Sequence, residues 1–480
     1  MARYNPAQVF PPKFAPAVAP QNFRAPQAPA GLMDAQQNSF AAASLVGATY
    51  LFFLFSHAIE FIDTMGRFHL IVLLAIVAAL AAFSAGKIPK AFTSAPGICL
   101  SFFTAFLILG IPFSSWKGGS FRAFADSWWK SYLTFFLVSS LVFTLHQLRR
   151  SLFVLGIASV GILYFAFKSS RIYEDGRLSV EYGSLGNSND LAGALLLCLP
   201  FVMYIILDKR RAAVFRLAFV GIAGLLMMMV VKTGSRSSLL VVAAMAIIVF
   251  FQVSTTNKLK IFVCCALAIC TAPFFVSKDL MARYATTFSS GITTGMSDSE
   301  ASAVMSTNAR KQLVKNAVIL TVKHPIFGVG MGNFSFQSAE LEIAKGGVPL
   351  WYTCHDIYLL VSSETGVVGF LFYLATLFFT ARILLRLRKA SKNIHELDGV
   401  SQMAFCLLMA LFAFASCGLF GTNAYNMQMP AIAGLAVALD RIAGPLLASA
   451  QERRMAQFRD AIPVAPGRFA GAASAALSVR

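Results

Sequence analysis

Apolar runs of about 20 residues recur along this chain, and they limit its possible folds more than any other feature. A run of this length crosses the roughly 30 Å hydrocarbon core of a bilayer as one α-helix, which satisfies every backbone amide internally. About twelve such runs are present, at 40–59, 69–86, 91–113, 131–148, 150–167, 189–207, 217–234, 237–254, 260–277, 357–381, 401–421 and 429–449. They predict an all-α polytopic membrane protein with about 12 transmembrane helices.

The composition agrees with a membrane protein and argues against a nucleic-acid-binding protein. Hydrophobic residues make up 57% of the 480 residues, and charged residues only 13%. The net charge of +19 would suit a nucleic acid only if it formed a basic patch on a water-exposed surface. Here the Lys and Arg residues instead separate the apolar runs, where they carry information about topology. We therefore expect a membrane around the chain and no nucleic-acid partner.

The basic residues also predict the orientation of the chain. With the N-terminus inside, 24 of the 40 Lys and Arg residues lie in inner segments and 16 in outer segments. Seven of those 16 lie in one long outer segment, and the positive-inside rule does not count long segments. The comparison is therefore between 24 inner and nine outer Lys and Arg residues. This predicts an N-in, C-in membrane domain over 40–450. Residues 1–39, rich in Pro, Ala and Gln, are expected to form a disordered cytoplasmic tail, and 451–480 a second tail.

The longest polar segment, 278–354, falls on the predicted outer face between spans nine and ten, and is too long to be a simple connector. We expect it to form a long, helical outer loop, which is periplasmic if the resemblance described below holds. Apolar residues recur at helical spacing within it, at Leu313, Ala317 and Leu320. With Ser306 or Thr307 as the cap and Pro325 as the stop, they predict an amphipathic helix over the outer membrane surface. The glycines of the following FGVGMGNF allow tight turns or a close approach to a ligand.

Two arginines on the predicted outer face are candidates for binding an anion. Arg236 lies in the short turn TGSRSS, so its guanidinium must lie near the outer interface. It is either a snorkelling interfacial residue or an anion clamp, since the planar guanidinium fits phosphate bidentately. Arg310 is expected to open the amphipathic helix, where the helix dipole disfavours a cation and an anionic partner would stabilise it. The alternative for Arg310 is a solvated basic face shared with neighbouring lysines.

A His-Asp pair precedes the tenth predicted span. His355 is either an interfacial hydrogen-bonding residue or a general base for a hydroxyl, because imidazole titrates near neutral pH. Asp356 could orient this imidazole or cap the helix that follows. Glu364, further along that helix, should face protein or water rather than lipid, and we expect a structural role for it. The outer segments contain no HExxH motif and no P-loop, so we expect neither a metal nor a nucleotide cofactor.

Four segments in this order resemble the O-antigen ligase and polymerase family. They are GNSNDLAGALL from Gly186, TGSRSSLL from Thr233, ARKQLVKNAVILTVKHPIFGVGMGNF from Ala309 and HDIYLLVSSETGVVGFLF from His355. The spacings match as well, with 74 residues from Arg236 to Arg310 and 45 from Arg310 to His355. The resemblance covers about 186–372 in motifs. The family often has Asn after the histidine, where this chain has Asp356.

The resemblance implies a metal-independent, inverting membrane glycosyltransferase of the bacterial inner membrane, with an active site facing the periplasm. Such enzymes transfer a glycan from an undecaprenyl-pyrophosphate carrier to an acceptor hydroxyl. By resemblance, Arg236 and Arg310 match the family's pyrophosphate-binding arginines, and His355 matches its essential histidine. Asn189 in the first motif and Asp356 complete the substrate-binding residues that we expect.

The acceptor distinguishes several enzymes within this family. If the acceptor is lipid A core, the chain is an O-antigen ligase. If the acceptor is another lipid-linked glycan, the chain is a polymerase of O-antigen or exopolysaccharide, and if the acceptor is a protein, it is an oligosaccharyltransferase. We favour the ligase, because the arrangement of two arginines and a histidine resembles that branch. A flippase or transporter is the alternative from a different class. It predicts interrupted, charge-bearing helices near the midplane of the membrane, whereas the polar residues here gather on one face.

Overall fold

The computed structural model describes residues 30–62, 70–84, 91–173, 176–181, 183–252, 258, 278–285, 298–392 and 394–461, and these residues are mostly helical. The α-helices are α1 Ala30–Ser56, α2 Ala58–Phe61, α3 Leu70–Ser84, α4 Ala95–Gly110, α5 Lys117–Ala123, α6 Trp129–Ser140, α7 Leu145–Lys168, α8 Ser188–Leu207, α9 Ala213–Lys232, α10 Arg236–Gln252, α11 Lys278–Ala285, α12 Asp298–Lys323, α13 Phe334–Ala344, α14 Ile357–Ser391, α15 Asp398–Gly418 and α16 Gln428–Ala461. Short 3₁₀-helices span Ile111–Phe113 and His395–Leu397, and a π-helical turn spans Phe124–Trp128.

The prediction of an all-α chain requires one correction, because an antiparallel β-hairpin connects α7 and α8. Its strands are β1 Ser170–Ile172 and β2 Leu178–Val180. Gly176 closes the turn with a φ of +74°, a left-handed conformation that glycine adopts without strain. The Asp-Gly pair in the sequence is a recognised hairpin signal. Each strand has only three residues, which is too short to give a hydropathy pattern, so the apolar runs do not predict the hairpin.

Several helices are long and apolar enough to cross a membrane. Within the described residues there are seven, at Ala95–Phe113, Leu145–Lys168, Ser188–Leu207, Ala213–Lys232, Ile357–Ser391, His395–Gly418 and Gln428–Arg453. Shorter apolar helices cover Ala41–Ser56, Val72–Phe83 and Arg236–Gln252. These helices confirm the multi-pass character of the chain. The total of about 12 spans stays a prediction, and the ninth predicted span, 260–277, lies outside the described residues.

The predicted fourth span, 131–148, is wrong as a single helix. Helix α6 ends at Ser140, and Thr144 caps the new helix α7 by accepting a hydrogen bond from the Gln147 amide at 3.2 Å. The Gln147 side chain in turn accepts a hydrogen bond from the Phe143 amide at 2.8 Å. Local capping therefore divides a stretch that its hydropathy presents as continuous.

The helices at the two ends of the chain are longer than predicted. Helix α1 begins at Ala30, so residues 30–39 of the predicted disordered tail are helical. Helix α16 continues to Ala461, into the predicted C-terminal tail. Residues 1–29 and 462–480 lie outside the described residues.

Polar contacts gather the connecting segments at two opposite ends of the helix bundle. One end, which we call the polar end, contains 57–62, 111–128, 169–173, 176–181, 183–187, 233–235, 298–356 and 419–427. Its segments are joined by hydrogen bonds such as those of Ser184 with Glu60 and of Asn333 with Trp116. The other end, which we call the basic end, holds the pairs Arg386–Asp440, Arg388–Gln252 and Arg453–Glu396. All the predicted site residues lie at the polar end.

Helix α12 differs from the predicted amphipathic helix at its start. It begins at Asp298, so Thr307 lies inside the helix and is not its cap. The acidic SDSE sequence at this position favours a helix N-terminus. Arg310 therefore does not open the helix, and the argument from the helix dipole is wrong for it. The C-terminal half agrees with the prediction, because the helix ends just before Pro325 and its predicted apolar face is buried, at Leu313, Ala317 and Leu320.

The glycine-rich loop after α12 fits into an interruption of α14. Helix α14 breaks at Gly366, which has a φ of +67°. The Gly330 amide donates a hydrogen bond of 2.9 Å to the Glu364 carbonyl oxygen beside this break. A Cβ atom on Gly328 would lie 2.3 Å from the Glu364 carbonyl carbon, so only glycine fits there. The loop glycines thus permit a close approach between a loop and a helix.

Glu364 lies inside the protein, as the sequence predicts, and only 3% of it is exposed. One carboxylate oxygen accepts a hydrogen bond from the Phe334 amide at 3.2 Å, and the other accepts one from the Tyr425 hydroxyl at 2.8 Å. Glu364 therefore joins α14 to the start of α13 and to the segment before α16. These contacts indicate a structural role.

Candidate active site

The β-hairpin places one arginine of the candidate site. Arg177 directly precedes β2, and its Nε donates a hydrogen bond to the Thr233 carbonyl oxygen at 2.9 Å. Its Nη2 donates to the Asn189 side-chain oxygen at 3.2 Å. Arg177 therefore links the hairpin, the first turn of α8 and the end of α9. Arg177 is not among the residues predicted from the sequence, where its signal is a cation within a short polar segment on the predicted outer face.

The TGSRSS turn directs Arg236 towards α12. Gly234 has a φ of +63°, and the Ser235 hydroxyl accepts a hydrogen bond from the Ser238 amide at 3.4 Å as α10 begins. Nη2 of Arg236 then donates a hydrogen bond to the Thr307 hydroxyl at 3.0 Å. Arg236 occupies the first turn of α10, where the unpaired amides already provide a positive potential. The local charge at this position therefore favours an anion.

Arg310 lies on the same face of α12 as Thr307, because residues three positions apart on a helix are neighbours. It is half-buried, and its positive charge acts on His355 and on Asp190. Arg310 therefore lies near the start of α8 and near the segment before α14. Three separate elements thus bring Arg177, Arg236 and Arg310 to one region of the polar end.

His355 has a backbone conformation that is uncommon for its residue type. Its φ is +54°, in the left-handed region, directly before α14 begins. Such conformations concentrate at functional sites. Burial is the main cause that lowers the pKa of His355 from 6.5 to about 4, and the charges of Arg310 and Arg177 lower it further. The imidazole is therefore neutral at pH 7. Its Nδ1 is buried and, among the described residues, has no hydrogen-bond partner.

Asp356 caps α14. One carboxylate oxygen accepts hydrogen bonds from the amides of Tyr358 at 2.8 Å and Leu359 at 3.0 Å. Burial raises the pKa of Asp356, and these two hydrogen bonds partly counteract the rise. Since Nδ1 of His355 has no partner in the described part of the chain, Asp356 does not orient the ring through that nitrogen. Of the two alternatives for Asp356, these contacts favour the helix cap.

The segment before α16 is attached to the site by Asp190, which is only 5% exposed. The Thr422 amide and hydroxyl donate hydrogen bonds to its carboxylate at 3.1 and 3.0 Å, and the Asn423 side chain donates a third at 3.2 Å. None of these three residues is among the site residues predicted from the sequence. Asp190 is the one charged residue of the GNSNDLAGALL motif, and this charge before an apolar run is the signal that could have identified it.

The arrangement suits an anionic ligand with several oxygen atoms. It combines the guanidinium groups of Arg177, Arg236 and Arg310 with a neutral imidazole, and guanidinium groups bind phosphate through parallel hydrogen bonds. The described residues contain no group of three or more His, Cys, Asp or Glu side chains that could hold a metal ion. The three guanidinium groups offer cation-based binding of an anion directly.

Residues 222–374 match the family model described as O-antigen ligase. The chain contains an O-antigen ligase domain. This match confirms the family that the four sequence motifs resemble. The domain includes four of the five predicted site residues, namely Arg236, Arg310, His355 and Asp356. Asn189 and the additional arginine, Arg177, lie before it. No curated protein matches the chain.

The O-antigen ligase domain indicates the general class of activity. It is typical of membrane enzymes of the glycosyltransferase type that act on glycans, with a ligase or polymerase function. The apolar helices agree with a multi-pass protein of this class.

Proposed function

We propose that this chain transfers a glycan from an undecaprenyl-pyrophosphate carrier to an acceptor hydroxyl at the periplasmic face of the bacterial inner membrane. One observation supports the proposal most strongly. Arg177, Arg236 and Arg310 converge, from three separate elements, on the region of a neutral His355. Cations beside a neutral base are the groups that a reaction with a diphosphate leaving group requires.

The arginines would act on the donor. When the bond between the anomeric carbon and the phosphate oxygen breaks, the diphosphate keeps the electron pair and gains negative charge. Guanidinium groups fixed in advance by hydrogen bonds, such as Arg236 to Thr307 at 3.0 Å, stabilise that charge without reorganising. Arg310 lies on the same face of α12 as Thr307 and would bind the same group.

His355 would act on the acceptor. As the acceptor oxygen attacks the anomeric carbon, the neutral imidazole accepts the hydroxyl proton. Attack from the face opposite the diphosphate inverts the configuration of that carbon. The reaction requires no metal ion, because the arginines provide the positive charge. Asn189 and Asp356 complete the proposed site, Asn189 by holding Arg177 at 3.2 Å and Asp356 by fixing the start of α14 beside His355.

The charges at the two ends of the bundle support the periplasmic placement. Arg386, Arg388 and Arg453 at the basic end belong to the predicted inner segments, which hold 24 Lys and Arg residues, against nine in the predicted outer segments other than the long one. Cytoplasmic segments are enriched in such residues, so the polar end would face the periplasm. This orientation corresponds to the N-in, C-in topology and leaves the polyprenyl tail of the donor in lipid beside the helices.

One feature of α14 resembles what a flippase or transporter would need, because the helix is interrupted at Gly366 beside the buried Glu364. In transporters, such interruptions leave backbone and side-chain groups available to a substrate. Here Phe334 and Tyr425 occupy the two carboxylate oxygens of Glu364. The interruption therefore favours a structural contact over a transport site.

A deletion strain tests this proposal. We expect loss of the surface polysaccharide and accumulation of undecaprenyl-linked glycan on the periplasmic side. Accumulation on the cytoplasmic side would instead support a flippase. Lipopolysaccharide that keeps its core but loses long chains would identify lipid A core as the acceptor. Loss of chain elongation, with single repeats still attached to the core, would identify a polymerase.

A further inference from the structure

A cavity with polar side chains in its lining lies at the polar end. It has a volume of about 260 Å³ and lies between the end of α1, the start of α6 and the start of α16. We call it the His57 cavity. Its polar lining includes His57, Glu60, Asp126, Lys130, Asn426 and Gln428. The mechanism proposed above uses none of these side chains.

Three residues form a fixed hydrogen-bonded group at one wall of this cavity. His57 has a left-handed φ of +54° and is only 7% exposed, and its Nδ1 lies 2.9 Å from a carboxylate oxygen of Glu60. The Ser184 amide and hydroxyl both donate hydrogen bonds of 2.8 Å to Glu60. The group therefore fixes the orientation of an imidazole and a carboxylate from two distant segments. Burial alone would raise the pKa of Glu60. The hydrogen bond and charge of His57 and the hydrogen bonds from Ser184 lower this pKa below its usual value. Glu60 is therefore an ionised carboxylate that accepts hydrogen bonds.

Gln428 is an independent observation that indicates a ligand in this cavity. Its side-chain oxygen is buried and has no hydrogen-bond partner among the described residues. An unpaired buried acceptor is unfavourable, and a ligand with a hydroxyl donor would satisfy it. Gln428 lines the His57 cavity and also a smaller cavity of about 50 Å³.

The smaller cavity shares lining residues with the His57 cavity and with the elements that form the candidate active site. Both cavities are lined by His57 and Gln428, which lie at their common boundary. The smaller cavity is also lined by Asn189, by Asp190 and by Ile357, which follows His355 and Asp356 directly. A ligand in the His57 cavity would therefore lie next to the proposed reaction centre.

We propose that the His57 cavity binds one sugar unit of a glycan through its hydroxyl groups. The proposal rests on the proposed function, since it assigns to that reaction a glycan subsite apart from the arginines. The Asp126 carboxylate and the Gln428 oxygen accept hydrogen bonds from hydroxyls, while Lys130 and Asn426 donate them. Glu60 is also an acceptor, because its side chain is 34% exposed, unlike that of the buried Glu364, and keeps lone pairs beyond those that His57 and Ser184 occupy. The volume lies at the lower end for small-molecule pockets and suits a single ring better than a long chain.

The charges of the two regions distinguish their ligands. The site around Arg177, Arg236 and Arg310 is cationic and suits a diphosphate. Glu60 and Asp126 would repel a phosphate or an anionic lipid headgroup, whereas a hydroxyl-rich, uncharged ring meets acceptors and donors together. The sugar unit belongs either to the donor glycan or to the acceptor, and the two probes below separate these sources.

The test measures binding of free glycans to the full chain in nanodiscs by saturation-transfer NMR. One probe is the oligosaccharide released from the host's lipid-linked donor, and the other is the delipidated core oligosaccharide. We expect at least one probe to bind, and Glu60→Gln to weaken its affinity about tenfold because a charged acceptor is lost. The probe that binds identifies the source of the sugar unit. Binding of neither probe to the unmodified chain would overturn the proposal.

A matched pair of surface variants guards against effects on folding. Asp126 pairs with Arg122 at 3.4 Å, and both side chains are largely exposed. Asp126→Asn and Arg122→Gln each break this pair, but of the two residues only Asp126 lines the cavity. We expect Asp126→Asn alone to weaken glycan binding. Equal affinities for both variants, together with an unchanged affinity for Glu60→Gln, would contradict the subsite.

Gln428→Leu and Arg310→Ala complete the test. Gln428→Leu should weaken glycan binding without lowering the thermal midpoint of the ligand-free chain, since it removes an unpaired acceptor. A lower midpoint with unchanged affinity would show that Gln428 is only structural. Arg310→Ala should reduce binding of inorganic pyrophosphate and leave glycan binding unchanged. Pyrophosphate binding that does not depend on Arg310 would count against the proposed function, whereas glycan binding that does not depend on Glu60 would count only against this subsite.

Discussion

Arg236 of α10 donates a hydrogen bond to Thr307 of α12 across 3.0 Å, although 71 positions of the sequence separate the two residues. This contact attaches the long polar segment to the TGSRSS turn between two membrane helices. It also fixes the guanidinium of Arg236 beside the face of α12 that carries Arg310. The proposed diphosphate site therefore depends on how a polar helix docks onto the bundle.

Thr307→Val should weaken the use of the donor. Valine keeps the shape of threonine but removes the hydroxyl that accepts the hydrogen bond from Arg236. We expect the KM for the lipid-linked donor to rise about tenfold, as for the loss of a charge-assisted hydrogen bond. Steady-state kinetics of the purified chain provide the measurement. Lys311→Ala, on the exposed face of the same helix, serves as the control. Identical KM values for the two variants would contradict the positioning role of Thr307.

Arg177→Gln should reduce transfer by tenfold or more, which is about 1.4 kcal/mol of transition-state stabilisation. The substitution removes a positive charge near His355 and the guanidinium contacts with Thr233 and Asn189. Arg171→Gln is a matched control, because it removes an exposed arginine from the same hairpin. If both variants lost activity equally, the hairpin as a whole would be responsible rather than the guanidinium of Arg177.

The pH dependence of transfer should reflect the lowered pKa of His355. Protonation removes the proposed base, and in the free enzyme it occurs only near the pKa of about 4. We therefore expect kcat/KM to stay level as the pH falls from 7 and to decline near pH 4, because kcat/KM reports the free enzyme. A bound diphosphate offsets the charges of Arg310 and Arg177 and so raises the pKa of His355. The decline in kcat should consequently occur at a higher pH than that in kcat/KM.

Initial rates at saturating and at limiting donor concentrations, measured between pH 4 and pH 8, separate these two profiles. His355→Gln should show neither decline, because it has no imidazole to protonate. A decline in kcat/KM centred on 6.5, the ordinary value for histidine, would contradict the electrostatic description of the site.

Glu364 and Tyr425 should show coupled effects on stability. Tyr425 donates a hydrogen bond to the carboxylate at 2.8 Å, and both groups lie within the bundle. Tyr425→Phe and Glu364→Gln should each lower the thermal midpoint, while the double variant should lose less than the sum of the two. A coupling of about 1 kcal/mol is expected for one such hydrogen bond. Strict additivity of the two single effects would contradict the contact.

Hydropathy and motif order predicted much of the framework of this chain, because both depend on short stretches of sequence. The apolar runs located the membrane helices, and the motifs placed Arg236, Arg310 and His355 on one predicted face. The predicted start of α12 was wrong, because the periodic apolar residues begin later in the sequence than the acidic stretch at which the helix starts. The break between α6 and α7 was not predicted, because capping by Thr144 does not change the hydropathy of the segment.

Contacts between distant segments could not be predicted from the sequence. Arg177 reaches the site only because a β-hairpin folds towards Thr233, 56 positions away. Asp190 holds the segment around Thr422, 232 positions away. The charge of each residue is visible in the sequence, but its distant partner is not. A single sequence shows residue types and local periodicity, whereas these pairs are set by the packing of the whole bundle.

Transfer by the purified chain is the most direct test of the central claim. The chain in nanodiscs would receive a lipid-linked glycan donor and, separately, lipid A core or a second lipid-linked glycan as acceptor. The proposed function predicts a product with inverted anomeric configuration from the unmodified chain, and a loss of at least a hundredfold in rate for both Arg310→Ala and His355→Ala. Transfer by both variants at the rate of the unmodified chain, or a product that retains the donor configuration, would contradict it.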